Sequence, residues 1–174
     1  MSEKCQLFAF LLLIKYYLVG PSYPGGLMPQ AQNIIGKLSQ HFTFEELTKT
    51  SKIPYKLLNS LLAKQYIKNM AILANYLLEP ARAILNAPLI ITSGYRCPAL
   101  NKEIGGSATS QHLNATAADF IVKDSRSLED IFIKLKESPF LNYGQLILEK
   151  SWIHISLGVP FRDLAKCYES FKIL

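Results

Sequence analysis

The chain has 174 residues, 49% of them hydrophobic and 18% charged, which excludes a disordered tail and leaves enough apolar material for one domain with a core. Lys and Arg number 19 against 13 Asp and Glu, a net charge of +6, an excess that suits an anionic partner such as a cell wall, acidic lipid or phosphate polymer. No two basic residues adjoin and no stripe of Arg with aromatics occurs, so nucleic acid is not an expected partner.

Leu7 to Ile14 is continuously apolar, Lys15 interrupts, and Tyr16 to Val19 resumes. A membrane span needs about 18 apolar residues, so this stretch reads better as a signal-peptide core with Lys4 before it. No A-x-A-like cleavage site follows. An uncleaved signal-anchor on residues 7–19, a cleaved signal and a locally buried extension all remain open. A Gly/Pro-rich linker runs to about Gln30. The apolar segment with its linker is assigned to 1–37 and the folded domain to 38–174.

Thr43-Phe-Glu-Glu46 fits a capping box, so a short helix should start there. Ile53-Pro54 marks its end or a turn. Residues 56–85 are helical in pattern, with Met70, Leu73, Leu77, Ala81, Ile84 and Leu85 at spacings of three and four. Pro80 predicts a kink or break inside that run. Leu89 to Thr92 and Ala118 to Val122 read as strands, and Leu128 to Lys136 as an amphipathic helix. Gln145 to Glu149 and Trp152 to Ser156 read as strands joined through Lys150-Ser151, a hairpin spacing. Arg162 to Phe171 reads as a closing helix. Helices first and strands later make an α+β domain, with helices on a small, mostly antiparallel sheet. A monomer is the default expectation.

The cysteines, Cys5, Cys97 and Cys167, are far apart with no CxxC pair, which excludes a disulfide scaffold and a Cys-rich zinc finger. Cys97 reads as a buried, inert thiol. Of the histidines His41, His112 and His154, the first reads as a surface or helix-entry residue. The other two have more telling surroundings. His112 and Asp119 lie seven apart with small residues between, and Asp119 sits in an otherwise apolar strand. A carboxylate there is costly unless it is paired or bound to a cation. Strand alternation puts Trp152, His154 and Ser156 on one face and Ile153 and Ile155 on the core face. Two imidazoles and one carboxylate leave a fourth position for water, the catalytic rather than the structural pattern of zinc.

Here the residues resemble a known family. Ser93-Gly-Tyr-Arg96, then Asn101, Gly105-Gly106, Ser110-x-His112 with Ala117-x-Asp119, and Trp152-x-His154 follow the order of the zinc D-Ala-D-Ala carboxypeptidases. That family includes the vancomycin-resistance D,D-dipeptidases and D,D-carboxypeptidases and many phage endolysins. The likeness covers roughly 41–158. It implies a zinc metallopeptidase that hydrolyses peptidoglycan stem peptides, located at the cell envelope or encoded by a phage as a lysin. It implies that His112, Asp119 and His154 bind Zn2+. Arg96 would face the substrate and hold developing negative charge, and Ser110 would help fix the site. Glu149 is the candidate general base that takes a proton from zinc-activated water and passes it to the leaving amine. Trp152 reads as pocket wall.

Two departures stand out. The family pattern S-x-H-x-x-G-x-A-x-D has Ala115 in place of its Gly, which costs on the order of 1 kcal/mol if that position needs a positive φ. The base of better-known branches lies three residues before the last His, where this chain has Ser151; Glu149 is five before. These departures define an alternative, a zinc-binding but non-hydrolytic peptidoglycan-binding or phage structural module. A thiol enzyme built on Cys97 is more distant still.

Overall fold

Thr43 starts the first helix in the way its neighbours suggest. In the computed structural model, which describes residues 36–159, the Glu46 N–H donates to the Thr43 hydroxyl at 3.2 Å and the Thr43 N–H donates to the Glu46 carboxylate at 2.9 Å. Two backbone donors that lack helical partners are thus satisfied reciprocally. Helix α1 (Phe44–Thr48) buries Phe44 and Leu47. A 3₁₀ turn at Ile53–Tyr55 leads into α2 (Lys56–Ala63), and a second at Lys64–Tyr66 leads into α3 (Ile67–Leu73). A π turn at Ala74–Leu78 continues as α4 (Glu79–Leu85). The apolar stretch 7–19, the linker and the expected helix at 162–171 lie outside the described residues.

The kink or break expected at Pro80 takes the form of a π turn just before it. Pro80 has no N–H to offer the carbonyl four residues back. The preceding residues absorb the mismatch: the Glu79 N–H donates to the Ala74 carbonyl, five residues back, and closes the π turn. Pro80 then falls in the first turn of α4, where a missing donor costs little. The helix is re-phased rather than broken.

After Asn86, which ends α4 in the left-handed region, come β1 (Leu89–Ser93), α5 (Pro98–Glu103) and a 3₁₀ turn at Gln111–Asn114. Then follow β2 (Ala117–Val122), α6 (Leu128–Lys136), β3 (Tyr143–Leu148) and β4 (Ile153–Leu157). The four strands lie in the order β1-β2-β4-β3, every neighbouring pair antiparallel. The expected α+β architecture is therefore present, and its described sheet is antiparallel throughout. The hairpin closes through Lys150-Ser151, with the Glu149 N–H donating to the Trp152 carbonyl at 3.0 Å. Helix α5 has only six residues, too few for periodicity to announce it.

Ala118, Phe120, Ile153 and Ile155 point to one side of the sheet and are fully buried. Met70, Leu77 and Leu135 belong to the same core. Helix α1 packs on β1, and α6 bridges α4 and β3. In β1 the pairing slips between Ile91 and Ser93, so Thr92 is an extra residue against β2.

Glu79 ties the entry turn to the helices. Its carboxylate accepts from the Ser39 hydroxyl and the His41 N–H, both at 2.7 Å, and its second oxygen lies 2.7 Å from His41 Nδ1. His41 is thus an exposed helix-entry residue with a partner. Burial pushes the Glu79 carboxyl up, but the bonds from Ser39 and His41 outweigh it and hold it below the ordinary carboxylate value. A group depressed in the folded state stabilises above its unfolded pKa and loses that contribution on acidification. Glu79→Gln should therefore cost about 1–2 kcal/mol at neutral pH. Denaturant titrations should show the gap to wild type closing as pH falls through the ordinary carboxylate range.

Candidate metal centre

The sheet register brings the key side chains together. Ser93 on β1 pairs with Asp119 on β2, Asp119 with His154 on β4, and His154 with Ile147 on β3. Directly opposed residues have side chains on the same face. Asp119 and His154 therefore meet opposite the core face, with Asp119 Oδ1 2.8 Å from His154 Nδ1. The chain turns back before β2 to add the third group. Ser110 caps the 3₁₀ turn at Gln111–Asn114 by accepting the His112 N–H at 3.4 Å. His112 Nε2 then lies 3.2 Å from both Asp119 Oδ1 and His154 Nδ1.

These three side chains form the one group of at least three His, Cys, Asp or Glu among the described residues whose ligand atoms converge, all within 4.8 Å of one another. The donor set suits zinc. His112 Nδ1 lies 2.6 Å from the Gly94 carbonyl. A carbonyl only accepts, so Nδ1 carries the proton, and in the neutral ring Nε2 presents its lone pair to the group. A backbone carbonyl that fixes the tautomer is a common outer partner of a metal-ligating histidine. Burial pulls the His112 imidazole below its ordinary value, against the opposing pull of Asp119, which favours the neutral, ligating form.

Asp119 serves two sides at once. Its Oδ1 faces the imidazoles, while its Oδ2 accepts from Arg96 Nη2. Burial alone would push the carboxyl up; its close neighbours His112, His154 and Arg96 hold it well below the usual range. The carboxylate is thus ionised and already compensated. Arg96 is steadied by Ser93, whose hydroxyl accepts from its Nε at 2.8 Å. Its side chain therefore spans the His–Asp–His group and the cleft.

Gly94 explains why this loop fits. A Cβ there would lie 2.3 Å from the Leu47 carbonyl oxygen, a contact no side chain permits, and the next N–H, of Tyr95, donates to that carbonyl at 2.7 Å. On the other side the Arg96 N–H donates to the His112 carbonyl at 3.1 Å. Asn59, buried on α2, donates to the Thr48 and Tyr95 carbonyls and accepts the Cys97 N–H at 2.7 Å. Gly94 and Asn59 escaped the sequence reading as site-builders. A lone Asn on the inner side of a leucine-rich helix was the available signal. Cys97 itself is buried and free.

The group opens into a cleft of about 380 Å³. Arg96, Ser110, Glu149 and Trp152 all line it, as do Gln145 and Ile147, which the sequence did not single out. Trp152 stands just before β4 rather than in it. Ser151, three residues before His154, is an exposed turn residue. Glu149 stands just after β3 rather than in it, as the expected strand Gln145 to Glu149 had it, and is exposed at the cleft edge.

A family model described as Peptidase M15 matches residues 40–156 of the chain. No curated protein matches it.

Ala115 ends the 3₁₀ turn at φ 54°, ψ 33°, so the position does require the left-handed region. An L-residue there costs about 1–2 kcal/mol. Against this, its methyl group is buried, worth about 0.8 kcal/mol, and alanine has less unfolded-state freedom to lose than glycine. The terms nearly cancel. Ala115→Gly should leave the unfolding free energy within about 1 kcal/mol of wild type, whereas Ala115→Val should lower it by more, both read from denaturant titration.

Proposed function

The chain belongs to the peptidase M15 family, and from that membership we propose that it is a zinc peptidase that hydrolyses peptide bonds of peptidoglycan stem peptides, of D-Ala-D-Ala carboxypeptidase or endolysin type. One observation carries the hydrolytic reading: the cleft is lined by two carboxylates, Asp119 within the His–Asp–His group and Glu149 outside it. A ligand and a separate base are what metal-assisted hydrolysis needs. His112 through Nε2, His154 through Nδ1 and Asp119 through Oδ1 would hold the metal. When bound, zinc supplies a Lewis acid that polarises the scissile carbonyl and makes water acidic enough to attack.

The chain's own residues do the rest. Glu149 accepts the proton of the attacking water and returns it to the leaving amine. Its place beside the hairpin turn keeps it in solvent, where it can exchange protons between turnovers. Arg96 has further N–H groups beyond those used on Asp119 and Ser93, and these hold the negative charge that grows on the carbonyl oxygen. Trp152 and Ile147 form the walls against which the peptide lies, and Ser110 holds His112 through its backbone. The net positive charge fits an anionic envelope polymer, and a cell-envelope or phage-lysin setting follows from that substrate.

The test is zinc content and stem-peptide cleavage measured on the full chain. Wild type should bind one zinc per chain and cleave. His154→Ala should lose the metal. Glu149→Gln should keep it and lower kcat by at least about 100-fold. Turnover by Glu149→Gln at the wild-type rate would remove Glu149 from the mechanism. Zinc-loaded wild type that binds stem peptides without cutting them would establish the non-hydrolytic module instead.

A further inference from the structure

Helix α2 is amphipathic in reverse. Its inner side carries Asn59 and Ala63, both fully buried, and its outer side carries leucines. Leu57 is 72% exposed and Leu61 51%, and Ile53 in the preceding turn is 83% exposed. Leu58 and Leu62 are exposed beside them. At helical spacing Leu57 and Leu61 form one row, and Leu58 and Leu62 the next. A helix normally docks to its domain through such a stripe. Here Asn59 does the docking through its bonds to Thr48, Tyr95 and Cys97, and the leucines face water. A contiguous aliphatic patch of this kind marks an interaction surface.

Charge indicates the partner. Between Glu46 and Glu79 the chain holds five lysines and no acidic residue. Lys49, Lys52, Lys56 and Lys64 are all exposed. Lys52 has one distant acidic neighbour, Glu103 at 3.9 Å, so the rim stays strongly positive. Lys56 and Lys64 stand at the two ends of the leucine rows. Protein interfaces are anchored by Trp, Tyr and Arg, with Leu under-represented among their strongest contacts. Aliphatic rows with a lysine rim suit the boundary of a bilayer, where lysine stems lie on acyl chains and ammonium groups reach anionic headgroups.

We propose that the face formed by Ile53, Leu57, Leu58, Leu61 and Leu62 docks on an anionic lipid bilayer. Leu57 and Leu61 enter the acyl boundary, and Lys56 and Lys64 meet the headgroups. No helix among the described residues is long and apolar enough to cross a membrane, so the contact is with the surface. The face points away from the Ser93–Arg96 loop, because Asn59, on the opposite side of α2, is what grips that loop. Docking therefore leaves the loop uncovered.

The test is co-sedimentation of the full chain with vesicles of phosphatidylcholine alone or mixed with phosphatidylglycerol. Three chains are compared: wild type, Leu57→Ser with Leu61→Ser, and Lys56→Glu with Lys64→Glu. The leucine changes lie on an exposed surface, and circular dichroism checks that the fold is kept. Wild type should bind the mixed vesicles at least about tenfold better than the neutral ones, and each double variant should lose at least about tenfold of that binding. High salt should weaken wild type and matter less to the lysine variant. Equal binding by wild type and the leucine variant would overturn the proposal, even if another segment attaches the chain to lipid. So would a leucine variant that changes oligomeric state or thermal stability with no change in vesicle binding, since the face would then be covered by a second copy or by another part of the chain.

Discussion

The site depends on one pairing, the antiparallel register that sets Asp119 opposite His154. Side chains alternate across a strand, so a slip of one residue between β2 and β4 would turn either residue into the core. Ala118 and Phe120 on β2 and Ile153 and Ile155 on β4 hold the register, because all four are fully buried on the other face. The apolar core thereby fixes the polar site from the opposite face of the sheet. The remaining parts attach to this row: Ser93 extends it on β1 and Ile147 on β3. His112 arrives from outside the sheet, held by Ser110 below and the Gly94 carbonyl above.

Asp119 is the electrostatic hinge of the arrangement. A buried carboxylate without compensation is strongly unfavourable. Here one oxygen faces two imidazoles and the other an arginine, so the charge is supported from both sides. The carboxylate is ready to ligate because the fold has already met the cost of burying it. Arg96 shares that duty with any role toward substrate, so its position is dictated by Asp119 as much as by the cleft.

Much of this was legible in the sequence. The capping box at Thr43, the strand around Asp119 and the alternation of Trp152, His154 and Ser156 rest on local chemistry that the chain carries in a few adjacent residues. So does the hairpin at Lys150-Ser151. What the sequence did not reveal depends on contacts distant along the chain. Gly94 matters because Leu47 passes beside it. Asn59 matters because three backbone groups, one at the end of α1 and two in the loop after β1, converge on it. Pro80 was read as a kink or break because propensity reports the missing donor but not the π turn that absorbs it. At Ala115 the substitution was visible and its left-handed backbone was not, since only the folded turn sets φ.

Thr92 is the quiet element of β1. As one residue in excess of what β2 can pair, it changes the phase of everything that follows it in the loop. Ahead of it, Leu89 and Ile91 point into the core; beyond it, Ser93 joins the polar row and Arg96 reaches Asp119. The information at this position lies in the number of residues rather than in their identity. An exposed polar side chain there is free to vary in type. Removing the residue would restore an unbroken ladder while drawing the arginine back by about 3.3 Å, one strand step. Among descendants of this fold, drift at position 92 should be common in composition and rare in length.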